Sequence, residues 1–374
     1  MEYTFRKWRT LRQKFSIALL IPTIALSIFS VYYIAGTYQD FLREVHFKND
    51  LNKMMTLSGL KFEIDREAQA MRSFYLGVRN FDHLRLQKDF TEKAIKDFRK
   101  EFAGETAIIQ GLETNVVAAL SAARDKVLSG QSRWPETEKE METIRLWMIS
   151  FSPNYSNFEK IYPYMFQLEK LQEGVISARE LNNHLSFVIV RDMPLNSIQF
   201  SQLISSYERA QYLHRQSANF LMSGTDRMKF LYNQQMMMWG KIKADYDKTL
   251  ETIEQGRYGI RLPELIKEFE RLEKSQLAPV QLKKETIFSQ VEQTLSAARS
   301  KFLFSFIWVS LVVAFCMRMT LVTYRKGLFY LATSFNGHDI KIINEEVGAG
   351  NITPLYPLHS REEEYIDRVH KHIA

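Results

Sequence analysis

The sequence predicts an all-α protein in which two membrane-spanning helices flank an extracytoplasmic helical bundle. Three observations carry this reading. Two long apolar runs lie near opposite ends of the 374-residue chain. Between them, apolar residues recur every three or four positions over long proline-free stretches, the period of a helix and not of a strand. Glycine and proline, at 15 and 9 residues, are too sparse for an architecture of short strands and turns. The chain is otherwise composed like a folded protein, 45% hydrophobic and 25% charged, which excludes disorder as its main character. The single cysteine, Cys316, excludes an internal disulfide framework and a cysteine-based zinc site.

The first apolar run, Phe15 to Gln39, has no charged side chain and exceeds the ~20 residues that cross a bilayer as a helix. Arg6, Lys7, Arg9, Arg12 and Lys14 precede it, and the mixed set Asp40, Arg43 and Glu44 follows. This asymmetry places the basic N-terminus, residues 1–14, in the cytoplasm. The run is longer than a signal-peptide core and ends in Tyr32, Tyr33 and Tyr38, which suit a membrane interface, so a retained span over 15–39 is expected. The second run, Phe302 to Met317, reaches spanning length if Arg318 snorkels to the inner face and the helix continues to Tyr324. Arg318, Arg325 and Lys326 mark that end as cytoplasmic. The expected organisation is a span over 15–39, a periplasmic domain over 40–301, a span over 302–324 and a cytoplasmic tail over 325–374. The bilayer is then the first partner, and an inner membrane the expected location, with both termini in the cytoplasm.

In the exported part, Met54, Leu57, Leu60, Ile64, Ala68, Met71, Tyr75 and Val78 form one helical stripe, extended by Leu51 and widened by Met55 and Phe74; Phe62 falls off it. This predicts an amphipathic helix running directly out of the first span. Further helices are expected over Phe81 to Phe102, Glu105 to Leu128, from about Pro135, and over Leu168 to Val190. Pro153 and Pro163 punctuate the middle of the chain, and residues 191–196 read as a loop. Helices follow over about 197–221 and 226–256. A last one starts at Leu262-Pro263 and enters the second span.

In the tail, Leu321, Tyr324, Leu328, Leu331 and Phe335 follow 3-4-3-4 spacing, a coiled-coil seam that Gly348 and Gly350 interrupt. Ser360 and Glu363 form a capping box that opens a second helix with Ile366, Val369 and Ile373 on one face. Gly350-Asn351-Ile352, Leu355-Tyr356-Pro357, Glu362-Glu363 and Ile366 resemble the pattern of a HAMP linker, with Gly327-Leu328 where that family has Pro-Leu. The resemblance implies a homodimer, signal relay through Gly350, Glu362, Glu363 and Ile366, and a separate cytoplasmic signalling partner. No catalytic output domain is expected after the tail.

The string LKFEIDREAQAMRSFYLG at 60–77 resembles a helix of nitrate/nitrite-sensing (NIT) helical domains, with Asp65-Arg66 where that family has Glu-Arg. Arg179-Glu180 match the start of a later motif of that family, and Leu185-Ser186 stand where its second Glu-Arg would be. The resemblance implies a small anion as ligand.

Read from chemistry alone, Arg66, Arg72 and Arg79, with Tyr75 near the last two, are the candidate ligand-binding residues, because an oxyanion needs several donors and each guanidinium offers a planar fork. Arg72 and Arg79 lie seven apart and would share a helix face. The competing reading pairs these arginines with Glu63, Asp65 and Glu67 on a solvated face. Metal binding is not expected. His46, His83, His184 and His214 are dispersed. Met236-Met237-Met238-Trp239 could suggest copper, but consecutive residues do not share a helix face and methionine is a common core filler, so the run reads as core packing. No phosphate-cradling glycine loop or catalytic constellation is present, so neither a cofactor nor an enzyme is expected. Topology explains the basic N-terminus without nucleic acid. The expected function is a transmembrane receptor whose bundle senses a small ligand or partner. The alternative is a membrane-anchored scaffold that binds another envelope protein.

Overall fold

The structure, a computed structural model, describes residues 2–130, 134–150, 158–256 and 258–334. Among them every regular element is helical: α1 (Glu2–Tyr75), α2 (Phe81–Glu101), α3 (Thr106–Gly111), a π-helical segment (Leu112–Val117), α4 (Ala118–Ser129), α5 (Trp134–Ser150), α6 (Phe158–Arg191), α7 (Ser197–Met222), α8 (Asp226–Glu251) and α9 (Leu262–Ser334). The chain divides into two compact units. One holds the residues up to Asp40 and those from Arg299 onward, and the other is Phe41–Ala298.

In the first unit, α1 and α9 each carry a stretch long and apolar enough to cross a membrane, with mean hydropathy 1.3 and 2.1. Only 11% and 6% of these stretches are buried, so most of their large apolar side chains have little protein cover. Ile28, Phe29, Val31, Phe304, Leu311 and Phe315 all face outward. Small polar residues occupy the contact between the two helices: Ser30, Thr37 and Ser305 are buried. The Thr23 and Thr320 hydroxyls lie 3.2 Å apart. Small side chains let backbones approach closely, and a hydroxyl pair is a directional contact in an apolar medium. Tyr38 and Phe302 meet at 5.3 Å between ring centroids, and Lys301 Nζ stands 3.5 Å from Asp40.

In the second unit, α1 is the shared helix. Leu60, Ile64, Ala68 and Met71 join a core with residues of α2, the π-helical segment, α4 and α5. Phe47, Leu51, Met55 and Phe62 join another core with Ile161, Leu168, Val175, Val280 and Ile287. A third core, with Leu181, Leu185, Tyr207, Trp239, Phe269 and Leu272, ties α6, α7, α8 and α9. Phe62, off the predicted stripe, is therefore buried: a helix packed on opposite sides has no single solvent face, so a one-stripe pattern under-describes it. Hydrogen-bonded pairs fix the directions. Ser58 with Gln172 and Gln69 with Asn183 set α1 parallel to α6. Lys48 with Glu292 and Arg66 with Glu273 set α1 antiparallel to α9.

Local signals explain most helix ends. Gly77, with φ of +72°, follows the end of α1, and the Asn80 side chain accepts from the His83 amide to start α2. Asn196 and Gln199 form a full capping box at the start of α7. Two expectations are corrected. Pro163 lies inside α6, in its first two turns, where the ring removes at most one intrahelical bond. The helix expected over 105–128 contains the π-helical segment. Trp147 of α5 packs so closely on Gly111 that a Cβ there would stand 2.7 Å from its ring nitrogen.

Candidate functional site

A buried polar cluster of the second unit lies where α1, α2, α6 and α9 meet. Arg66, 8% exposed, donates through Nη1 to both oxygens of Glu63, at 2.8 and 3.1 Å, and through Nη2 to Glu273 Oε1 at 3.2 Å. Arg179 of α6, equally buried, pairs with the same Glu273 oxygen. Its Nη1 donates to the Arg66 carbonyl at 3.0 Å and to Gln87 Oε1 at 3.3 Å. Gln87 Nε2 donates to Glu63 Oε2 at 2.9 Å, and the Thr91 hydroxyl to the Glu63 carbonyl at 3.2 Å. The Arg66 guanidinium lies 5.5 Å from the Phe62 ring centre and 5.6 Å from that of Phe90. The Nε atoms of both arginines are buried without a hydrogen-bond partner.

Two guanidinium cations and two carboxylates make this cluster neutral overall. Burial alone would raise the Glu273 carboxyl, but Arg179 and then Arg66 overcome that and hold it below the usual carboxylate range. Burial pulls Arg179 downward against the opposing pull of Glu273; a guanidinium nonetheless stays charged. Arg79 pairs with Glu270 at the edge of this region. Nearby His83 is pulled from 6.5 to about 4 by burial, with Arg79 and Arg179 adding to it.

A second polar strip runs along the α1–α6 contact. Asn183 Nδ2 donates to the Gln69 carbonyl at 3.0 Å and to Gln69 Oε1 at 2.9 Å, and the Ser73 hydroxyl pairs with Asn183 Oδ1. Arg72 belongs to this side. Burial lowers it, while Glu180 and Glu138 oppose the shift. His184, with both ring nitrogens buried and unpartnered, is pulled to about 4 by burial and then by Arg72.

The four candidate ligand-binding residues are thus distributed differently from the sequence expectation. Arg66 sits in the buried cluster and Arg79 on its margin. Arg72 feels Glu180 of α6 and Glu138 of α5, and Tyr75 is 43% exposed at the end of α1. Arg72 and Arg79 do not share a helix face, because α1 ends at Tyr75 and the Gly77 turn re-aims the chain before Arg79. The competing solvated-face reading is corrected as well. Arg66 does pair with Glu63, but inside the bundle. Glu67 is fully buried and takes a two-pronged contact from Arg124, at 2.7 and 3.0 Å. Burial raises the Asp65 carboxyl. Glu273 and Gln87 were not legible as partners, because they come from helices placed there only by tertiary packing. Arg179 carried a sequence signal through its place beside Glu180. Among the described residues no three His, Cys, Asp or Glu side chains gather as a metal site. Gly350, Glu362, Glu363 and Ile366 lie outside the described residues. Comparison with known proteins finds no matching family model, no similar curated protein and no similar solved structure.

Proposed function

We propose that this chain is a two-pass membrane receptor. In this reading the bundle of Phe41–Ala298 lies outside an inner membrane, the chain is a homodimer, and a HAMP-like tail relays the signal to a separate cytoplasmic partner. The observation that carries the reading is that the two helices bearing the apolar segments, α1 and α9, also supply Arg66 and Glu273, the bridged pair at the heart of the buried cluster. A ligand or partner that repacks this cluster changes the relation of α1 to α9. A continuous helix carries displacement along its axis. Signalling is then a population shift between two packings, and by reciprocity a partner on the tail alters affinity at the bundle.

The neutrality of the cluster shapes what it senses. An anion at Arg66 has to replace a carboxylate already in place and does not enter a waiting cationic hole. The same neutrality supports the alternative reading, a scaffold for an envelope protein, in which the ion pairs only hold the bundle together. The test is a thermal-melt series on the full chain in nanodiscs with nitrate, nitrite, other oxyanions and amino acids, against chloride at matched ionic strength. A saturable rise in midpoint for one compound, lost in Arg66→Ala, supports the receptor. No shift with any compound favours the scaffold.

A further inference from the structure

The methionine run of α8 reads as core packing in the sequence, and half of it is not. Met238 and Trp239 pack against the α6–α9 core, but Met236 is 45% and Met237 69% exposed. Met236 also holds a specific contact. Its Sδ lies 3.1 Å from Nε2 of His214, on the neighbouring helix α7. A thioether sulfur has no hydrogen to give, so this is a weak N–H···S bond with the ring proton on Nε2. His214 is 3% exposed and stacked between Tyr232, at 5.7 Å, and Trp239, at 5.3 Å between ring centroids. Among the described residues, Met236 is the one exposed methionine whose sulfur takes a hydrogen bond from a buried side chain.

We propose that Met236 is an oxidation site, at which a hydroperoxide converts the thioether to a sulfoxide and thereby resets the α7–α8 contact. The step is an oxygen-atom transfer. The sulfur lone pair attacks one peroxide oxygen; the S–O bond forms and the O–O bond breaks. Sulfur gives up two electrons, and hydrogen peroxide leaves as water. A thioether is a weak acceptor, whereas a sulfoxide is polar and accepts through oxygen. The His214 N–H that now meets sulfur is the donor for that oxygen. The sulfur has to retreat for the oxygen to stand at the ~2.9 Å of an N–H···O bond. Met236 can do so, because it is nearly half exposed and its unbranched side chain has three rotatable bonds. The altered contact reaches further into the bundle. His214 is stacked on Trp239, which shares a core with Phe269 and Leu272 of α9. Gln235, one residue before Met236, is buried and donates to the Ser275 carbonyl of α9 at 2.9 Å. Oxidation at Met236 thus acts two contacts from the helix that carries the second apolar segment.

The test uses the full chain in detergent micelles with Cys316→Ser as background, because a thiol reacts with the same oxidant. Hydrogen peroxide is added in steps. Oxygen gain at each methionine is read by peptide mass spectrometry, and tryptophan emission is recorded beside it. Met236 should oxidise with the exposed Met193 and Met237, ahead of the buried Met55, Met71 and Met165. Emission should shift in step with Met236, and methionine sulfoxide reductase should restore it. The shift should be lost in Trp239→Phe and in Met236→Leu, and kept in Met237→Leu. In His214→Phe, Met236 should still oxidise while emission no longer shifts; should that variant not fold, the two methionine variants still decide the matter. Oxidation of Met236 no faster than that of the buried methionines, an emission shift that survives Met236→Leu, or oxidised Met236 with no shift each overturns the proposal.

Discussion

Glu273→Gln removes the one carboxylate that holds two buried guanidinium groups and keeps the volume of the side chain. In the native bundle the Glu273 carboxylate pairs with Arg179 and takes one of the three Arg66 side-chain hydrogen bonds, the other two going to Glu63. The variant leaves Arg66 with Glu63 and leaves Arg179 with only neutral acceptors, the Arg66 carbonyl and Gln87. Breaking a buried pair from one side costs about 3–5 kcal/mol, because the surviving charge is desolvated without compensation. For a unit of this size, ~2–4 °C per kcal/mol places the expected loss of midpoint at roughly 6–20 °C. Arg179→Met in the same chain removes the orphaned cation, so the loss in the double variant should fall short of the sum of the two single losses by about 1–3 kcal/mol. The assay is thermal or urea unfolding of the full chain in nanodiscs, followed by far-UV and near-UV circular dichroism. A midpoint in Glu273→Gln within ~1 °C of the parent, or additive losses in the double variant, would refute the view that this carboxylate balances two buried charges.

Further outcomes are expected elsewhere. His83, His184 and His214 are each pulled to about 4 by burial, so between pH 6.5 and 4 the unfolded chain binds more protons than the folded one. Stability from these groups is full above pH 6.5 and falls across that window by up to ~3 kcal/mol per histidine; a urea-midpoint series over pH should show the fall, and His184→Asn should reduce it by about a third. Glu273, held low, adds stability that is present above the ordinary carboxylate value and lost only as pH falls below it. Gly111→Ala forces a methyl to 2.7 Å from the Trp147 ring nitrogen and should destabilise the bundle by about 1–3 kcal/mol, with Trp147→Phe in the same chain restoring part of it. Thr23→Cys with Thr320→Cys, in a Cys316→Ser background, should close an intramolecular disulfide under mild oxidation, visible as a shifted band on a non-reducing gel; its absence would contradict the hydroxyl pairing at 3.2 Å.

Much of the fold is legible in the residues because its signals are local. The uncharged run at 15–39 and the helical recurrence from Met54 to Met71 each declare a helix without reference to any other part of the chain. Asn80 and Asn196 announce the starts of α2 and α7 by chemistry that acts over only three residues. The candidate site is different. Arg66 stood out as a guanidinium on an apolar helix, but one sequence pattern serves both a solvated ion pair and a buried one. Burial on two sides of α1 decides between them. It draws Glu63 inward with Arg66, hides Glu67 against Arg124, and brings Arg179 and Glu273 from helices that lie 113 and 207 positions away in the chain.

The methionines divide in the same way. The run at 236–238 reads as core, yet only Met238 packs on the α6–α9 core, while Met236 and Met237 are 45% and 69% exposed. Which of them meets His214 depends on how α7 and α8 lie together. The sequence by itself determined the helical class, the two apolar segments and most helix ends, because hydrophobic period, charge asymmetry and capping act within one element. Only the tertiary structure decided that Arg66 is neutralised from within, that Arg72 and Arg79 part company at the Gly77 turn, and that Met236 touches a buried imidazole. These are relations between distant elements, set by packing, and no single stretch of chain encodes them.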